Sequence, residues 1–308
     1  MSDFLAACIV AGMPLLLATV GEIITEKSGS LNLGVEGMML MGAVMGFFTA
    51  QTTGNAVLAV LAALIAGGTG ALIFAFLTVT LRANQVVTGL TLTIFGTGFA
   101  RFVGKPLLGT TVPSEVAAML SDKPILLLSS IPGIGQIFFA HDVIVYIAYA
   151  IFIIAGVYLY KTRFGLNLRA VGENTGAADA SGVNINLYKY THIVAGGMLC
   201  GLGGAYLSLV RIPIWQADVV NGRGWIAVAL VIFASWNPIK AFFGAVLFGG
   251  LSILGLKLQA MGIHISQYLV DMVPYIATIL IVVISTRRQN KENSPPSDLG
   301  VNYFREER

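Results

Sequence analysis

The chain has 308 residues, of which 56% are apolar and only 11% charged, with a net charge of +3 and a mean hydropathy of +0.83. Soluble domains carry about 25% charged residues, so this chain cannot dress a water-facing surface, and soluble enzymes, disordered chains and collagen-like repeats are excluded. Its basic residues form no cluster interleaved with aromatics, which excludes a nucleic-acid groove. Cys8 and Cys200 lie far apart in apolar runs and read as buried small hydrophobes, without a disulfide framework or metal site.

At the amino end, Asp3 stands where a signal peptide needs a basic region, so the first apolar run is expected to stay as a membrane span. A hydrocarbon core about 30 Å thick needs roughly 20 apolar residues in a helix. Apolar runs at 4–20, 37–50, 56–80, 85–100, 143–160, 190–210, 224–236, 241–260 and 268–286 give nine candidate spans. The runs are continuous rather than alternating, which favours helices over a barrel. The expected fold is therefore all-α: a polytopic membrane protein of about nine transmembrane helices, with a re-entrant or broken segment near 21–37. The runs 37–50 and 224–236 are short and must borrow length or contain broken helices.

If all nine cross, one side collects Lys27, Arg82, Lys161, Arg163, Arg169, Lys189, Lys240, Arg287, Arg288, Lys291, Arg305 and Arg308, twelve of the 18 basic residues. Arg101, Lys105, Lys123, Arg211, Arg223 and Lys257 fall opposite. The richer side is expected to be cytoplasmic, which places the carboxyl end inside and the amino end outside. Glycine pairs within spans, such as Gly42 with Gly46 and Gly197 with Gly201, have the small-xxx-small spacing that lets helix backbones approach.

The stretch 21–43, GEIITEKSGSLNLGVEGMMLMGA, packs acids, amides and glycines between two apolar runs. Gly29, Gly34 and Gly37 permit irregular backbone, which at membrane depth is tolerated only when it lines a cavity or is covered by protein. Asn32 and Glu36 would share a helix face. Two readings stand: these groups border a translocation path, or Glu36 is a first-turn acid favoured by the helix dipole while Glu22 and Glu26 face water. A second polar cluster, Asn84, Gln85 and Thr88, opens the fourth span, where amides and hydroxyls suit a polar ring-shaped substrate and Asn84 equally suits a helix cap.

Residues 101–142 form a long outer loop with Pro106, Pro113, Pro124 and Pro132, in which the apolar run 125–128 is too short to span. Segment 161–189 is the expected cytoplasmic connection. Within it, residues 172–182 read as one short helix rich in Ala and Gly, small enough to enter a groove on a partner. The residues from 289 onward are polar and read as a surface extension of a 1–288 transmembrane domain. His141, His192 and His264 have no metal-ligand spacing, and neither a G-x-S-x-G elbow nor a phosphate loop occurs. No cofactor is implied, and any ATP hydrolysis needs another chain.

Gly176-Ala177-Ala178 followed by Gly182 matches the EAA-x-x-x-G spacing of the coupling loop of bacterial ABC importers, with Gly176 in place of the glutamate. Together with GSLNLGVEGMMLMGA, RAVGENTGAADASGVNINLYKY and GRGWIAVALVIFASWNPIKAFFGAVLFGG, it makes almost the whole chain resemble permease subunits of the branched-chain amino acid, ribose and simple-sugar ABC importer family. The tail PSDLGVNYFREER looks like the shorter permease of the nucleoside and simple-sugar branch. The resemblance implies a multi-pass protein of the bacterial inner membrane that imports nucleosides or simple sugars by alternating access. It further implies a second, longer permease, a cytoplasmic ATPase and an extracytoplasmic binding protein as partners. Glu173, Gly176, Ala177, Ala178, Asp179 and Gly182 would form the ATPase-coupling contact, with Glu173 a candidate for the missing acid. An ion-coupled secondary transporter is the alternative, and Asp271 near the ninth span is its main support.

Overall fold

The computed structural model describes residues 2–125, 128–260, 266, 269, 272–273, 275–277, 279–280, 283 and 294–305. Most of the expected ninth span, with Asp271 and His264, lies outside the described residues. Long helices follow the apolar runs: α1 (Ser2–Glu26), α2 (Val35–Thr53), α3 (Ala56–Ala75) and α4 (Gln85–Gly104). Short helices α5 (Ser114–Leu120) and α6 (Ile134–Phe138) lie in the long connection after α4, and α7 (Val143–Lys161) follows. Two connecting helices, α8 (Arg163–Glu173) and α9 (Thr175–Ala180), lead to α10 (Ile185–Tyr206), α11 (Arg223–Phe233) and α12 (Pro238–Ala260). Among the described residues, extended pairing is limited to two isolated bridges.

Helix starts follow side-chain chemistry. Asn55, Asn84, Asp142, Thr162, Asn174 and Asn184 each accept a bond from the first turn of the helix they precede, which satisfies donors that have no intrahelical partner. Short π-helical turns, Phe76–Thr80 and Leu207–Arg211, extend α3 and α10.

Helix α10 is the hub, packed against α1, α2 and α3. Its glycines make this possible: a side chain at Gly196 would strike the Gly21 carbonyl, at Gly201 the Ala63 carbonyl, and at Gly204 the Met39 carbonyl. Water cannot drive helices together within lipid, so close backbone approach supplies the packing. Large apolar side chains on α3, α4 and α7, including Ile65, Ile94 and Ile154, remain exposed, as a lipid-facing surface requires.

The connections sort into two faces. Trp236 donates its indole N–H to Glu26, and the end of α8 at Gly172 packs on the Lys27 carbonyl, so the end of α1, the end of α11 and the α8–α9 segment share what we call the tail face. On the opposite, loop face, Ala6, Ala7 and Val10 of α1 border a cleft with Asp122, Asp142 and Arg211. Lys257 stacks over Phe4 there, 5.4 Å from the ring centroid.

One expectation is corrected and two take a finer form. The irregular segment near 21–37 is narrower, because α1 stays helical through Glu26 and the break covers 27–34. The single helix expected over 172–182 is two, since the chain breaks at Asn174, an extended residue that caps α9. The seventh run is a half-helix: α11 has 11 residues, about 16 Å at 1.5 Å per residue, and the irregular segment 212–222 covers the remaining depth.

Candidate functional site

The break at 27–34 leads from the tail face along the first turns of α4. A side chain at Gly89 would meet the Leu33 backbone, and one at Gly37 would meet Leu92, placing the start of α2 about 10 Å along α4 from its first residue. Non-helical backbone at that depth must find its partners in protein, and the polar residues of this stretch provide them.

Asn32 is 1% exposed. Its backbone N–H and side-chain amide donate to the two carboxylate oxygens of Glu22 at 3.2 and 3.3 Å, and its Oδ1 accepts from the Gly34 N–H at 2.9 Å. Glu22 and Glu26 are buried and engaged, so the reading in which they face water is overturned: the irregular loop needs acceptors inside the fold. Ser28 and Ser30 complete the joint with a 3.2 Å bond.

Glu36 bridges to α11. Its Oε1 accepts from the Gly222 N–H at 2.8 Å and its Oε2 from the Gly224 N–H at 2.7 Å. A carboxylate there satisfies two orphan donors and complements the helix dipole. The starts of two helices, α2 and α11, are thus joined through one side chain. Gly222 adopts φ +78°, a left-handed conformation in which glycine is unstrained.

The second cluster divides. Asn84 is exposed and caps α4 by accepting from the Val87 N–H at 3.0 Å. Gln85 is buried, accepts from the Leu31 N–H at 2.7 Å and donates to Asn302 Oδ1 at 3.2 Å. Thr88 donates to the Asn84 carbonyl at 2.8 Å and lines an apolar groove of about 270 Å³ with Phe74, Leu77, Thr91 and Phe95. Thr93 ties α4 to the loop by donating to the Leu33 carbonyl at 3.0 Å.

On the tail face, Ala177 and Glu173 are exposed and Gly176 is partly so, whereas Ala178 turns inward against Val171 and Ile185. Asp179 Oδ2 accepts from the Tyr303 hydroxyl at 2.7 Å and pairs with Arg305 at 3.1 Å. Gly182 sits at φ +85° with open space around it, so the turn's backbone requires glycine whatever the segment contacts. Beside it lies a polar cleft of about 610 Å³ bounded by Arg82, Asp179, Gly182, Asn184, Tyr303 and Arg305.

Sequence reasoning missed the tail. Its described part, 294–305, is bonded along the tail face, where Asp298, Gly300, Asn302 and Tyr303 all find partners. The alternation of small, amide and aromatic residues was its signal. The buried histidines are structural: His141 bonds the Ile137 carbonyl at 2.7 Å, and His192 sits between the Tyr158 hydroxyl at 2.7 Å and the Tyr188 carbonyl at 2.6 Å. Among the described residues no three potential metal ligands cluster.

A helical fold with five helices long and apolar enough to cross a membrane, and shorter apolar helices beside them, is that of a polytopic membrane protein. The chain belongs to the family described as the permease component of the branched-chain amino acid transport system, whose model matches residues 4–283. It is 34% identical to the guanosine ABC transporter permease protein of Bacillus subtilis, over 91% of each chain. It is 32% identical to the nucleoside ABC transporter permease protein of Lactococcus lactis, over 97% of this chain and 96% of the other. A Haloferax volcanii permease provisionally assigned to glucose ABC transport is 35% identical, over 99% of this chain and 98% of the other. No solved structure matches the chain. The protein is therefore a multi-pass ABC importer permease, a transport subunit rather than an enzyme, and it associates with a separate ATPase and a substrate-binding protein. Family membership displaces the ion-coupled alternative.

Proposed function

We propose that this permease imports nucleosides or simple sugars by alternating access, alongside a second, longer permease. The observation that carries the substrate class is similarity over nine-tenths or more of the chain to relatives named for guanosine, nucleosides and glucose. The tail face is cytoplasmic, because it holds Lys27, Arg82, Lys161, Arg163, Arg169, Lys240 and Arg305, and the amino end is outside. Asn32, Glu36, Asn84, Gln85 and Thr88 border the path, with Thr88 on the groove wall and the others holding the wall in place.

Glu173, Gly176, Ala177, Ala178, Asp179 and Gly182 form the ATPase-coupling element. Its outer side presents Glu173, Gly176, Ala177 and Gly182, while Ala178 and Asp179 hold it to the permease. The supporting feature is a pair of short helices on the basic face, α8 capped by Thr162 and α9 capped by Asn174 and followed by Gly182, with Glu173 and Ala177 exposed. Labelled guanosine and glucose, offered to cells with and without this chain, test the substrate class. Uptake of one or both that requires the chain is expected, and equal uptake of both in the two strains contradicts the proposal.

A further inference from the structure

The carboxyl-terminal segment 294–305 touches three parts of the molecule that a coupled transporter must move together. At its start, Ser297 donates to Glu173 Oε2 at 3.0 Å, and the Asp298 N–H donates to the Gly172 carbonyl at 3.0 Å. Asp298 Oδ2 accepts from the Thr175 N–H at 2.7 Å, so the tail supplies a carboxylate to the first turn of α9. Next, the Gly300 N–H donates to the Gly29 carbonyl at 3.1 Å, on the irregular loop. Asn302 then reaches the entry to α4, donating to the Arg82 and Ala83 carbonyls at 2.6 and 3.3 Å and accepting from Gln85. Gln85 in turn holds the Leu31 N–H. Finally, Tyr303 and Arg305 return to Asp179 of α9, and Phe304 lies under the Arg82 guanidinium at 4.6 Å.

Polar surface segments without a core of their own ordinarily stay disordered. This one makes side-chain and backbone bonds to α8, α9, the loop and α4, and buries Pro296, so ordering it adds a second set of ties to elements already packed through Gly172, Leu31 and Leu33. We propose that 294–305 is a strap that transmits movement of α8–α9 to the loop 27–34 and to α4, with Asp298 and Asn302 as its positioning residues. The inference rests on the reading of α8–α9 as the ATPase-coupling element. A displacement of α9 carries Asp298 and Asp179 with it, and through Asn302 and Gln85 it pulls on the backbone that opens α4.

The test uses the whole complex of permeases, ATPase and binding protein in vesicles, with labelled guanosine or glucose, whichever the wild-type complex carries, as the probe. Asn302→Ala removes the tie to α4, and Asn302→Asp keeps its size while removing the two donated bonds. Both should retain the ATPase at wild-type stoichiometry and hydrolyse ATP at near wild-type rate. Solute moved per ATP should fall about tenfold, in keeping with the loss of one or two hydrogen bonds. Unchanged solute per ATP in both variants overturns the strap, as does loss of the ATPase from both, which would make the tail a folding or docking element alone. Failure of the underlying reading looks different: Gly176→Trp, on the outer side of α9 at a residue that itself makes none of the strap's bonds, would then leave ATPase binding intact.

Discussion

Glu36 shows how one side chain can hold the starts of two helices together. Its two oxygens each take one backbone N–H at the start of α11, and an amide of the same shape offers one acceptor in place of two. Glu36→Gln should therefore strand a buried N–H and lower stability by about 1–3 kcal/mol, read as an earlier thermal transition of the purified permease with an equal loss of uptake. Asp142, on the loop face, behaves oppositely. Burial raises its carboxyl above the ordinary range, while bonds from the Tyr206 hydroxyl and the Val145 N–H pull it back. A raised folded pKa means that the native state holds a proton which the unfolded chain releases first, so stability falls as pH rises from the usual carboxylate range through the folded value. Asp142→Asn keeps the cap and the Tyr206 bond without the charge. It should match or exceed wild-type stability at neutral pH and flatten that pH dependence, whereas Asp142→Ala should lose about 1–3 kcal/mol; thermal melts across pH check both. At this scale the sequence showed that residues 22–36 were unusual, because acids and amides between apolar runs demand a reason. It did not show which partner each takes, since Glu36 meets Gly222 across 186 positions and nothing local encodes that meeting.

Among the elements, α10 is the most exposed to failure, because its contacts are backbone on backbone. Gly201→Val should force α10 away from α3, cost about 1–3 kcal/mol or more in strain, and reduce the amount of folded permease recovered from the membrane. Gly98, with open space where a side chain would go, is the matched control and should tolerate valine. The α8–α9 pair invites a different substitution. Gly182 cannot separate bulk from backbone strain, since any side chain there must adopt φ +85°. Gly176 can, because an added Cβ would meet only Asn174 Oδ1 at 3.6 Å. Gly176→Trp should leave insertion and stability near wild type and release the ATPase, as measured by co-purification. The long helices were legible because about 20 continuous apolar residues have few alternatives in a membrane protein. The half-helix α11 was legible only as a run too short to span, for an apolar run of 224–236 looks the same whether its missing length is supplied by helix or by an irregular segment before it. The bonds of the tail were not legible for a related reason: hydropathy measures affinity for lipid and is blind to a polar segment bonded to a polar face.

Across the whole molecule, hydrogen bonds run in a continuous series from α8 and α9 on the tail face to the starts of α4, α2 and α11. The exposed helices α8 and α9 join the strap, the strap joins the irregular loop and α4, and the loop joins α2 and, through Glu36, α11. Alternating access requires such a series, because hydrolysis on a separate chain must alter helix positions within the membrane. Buried acids do not by themselves argue for ion coupling here, since Glu22 holds the irregular loop, Glu36 holds the start of α11, and Glu26 takes the Trp236 indole N–H beyond the end of α11. The most direct test of a permease driven by ATP from a separate chain is uptake of labelled nucleoside or sugar into vesicles holding the assembled complex, with ATP and ion gradients supplied independently. Uptake that requires ATP on the ATPase side and persists after ionophores collapse every gradient is the expected result. Uptake that follows an imposed ion gradient in the absence of ATP would contradict the account.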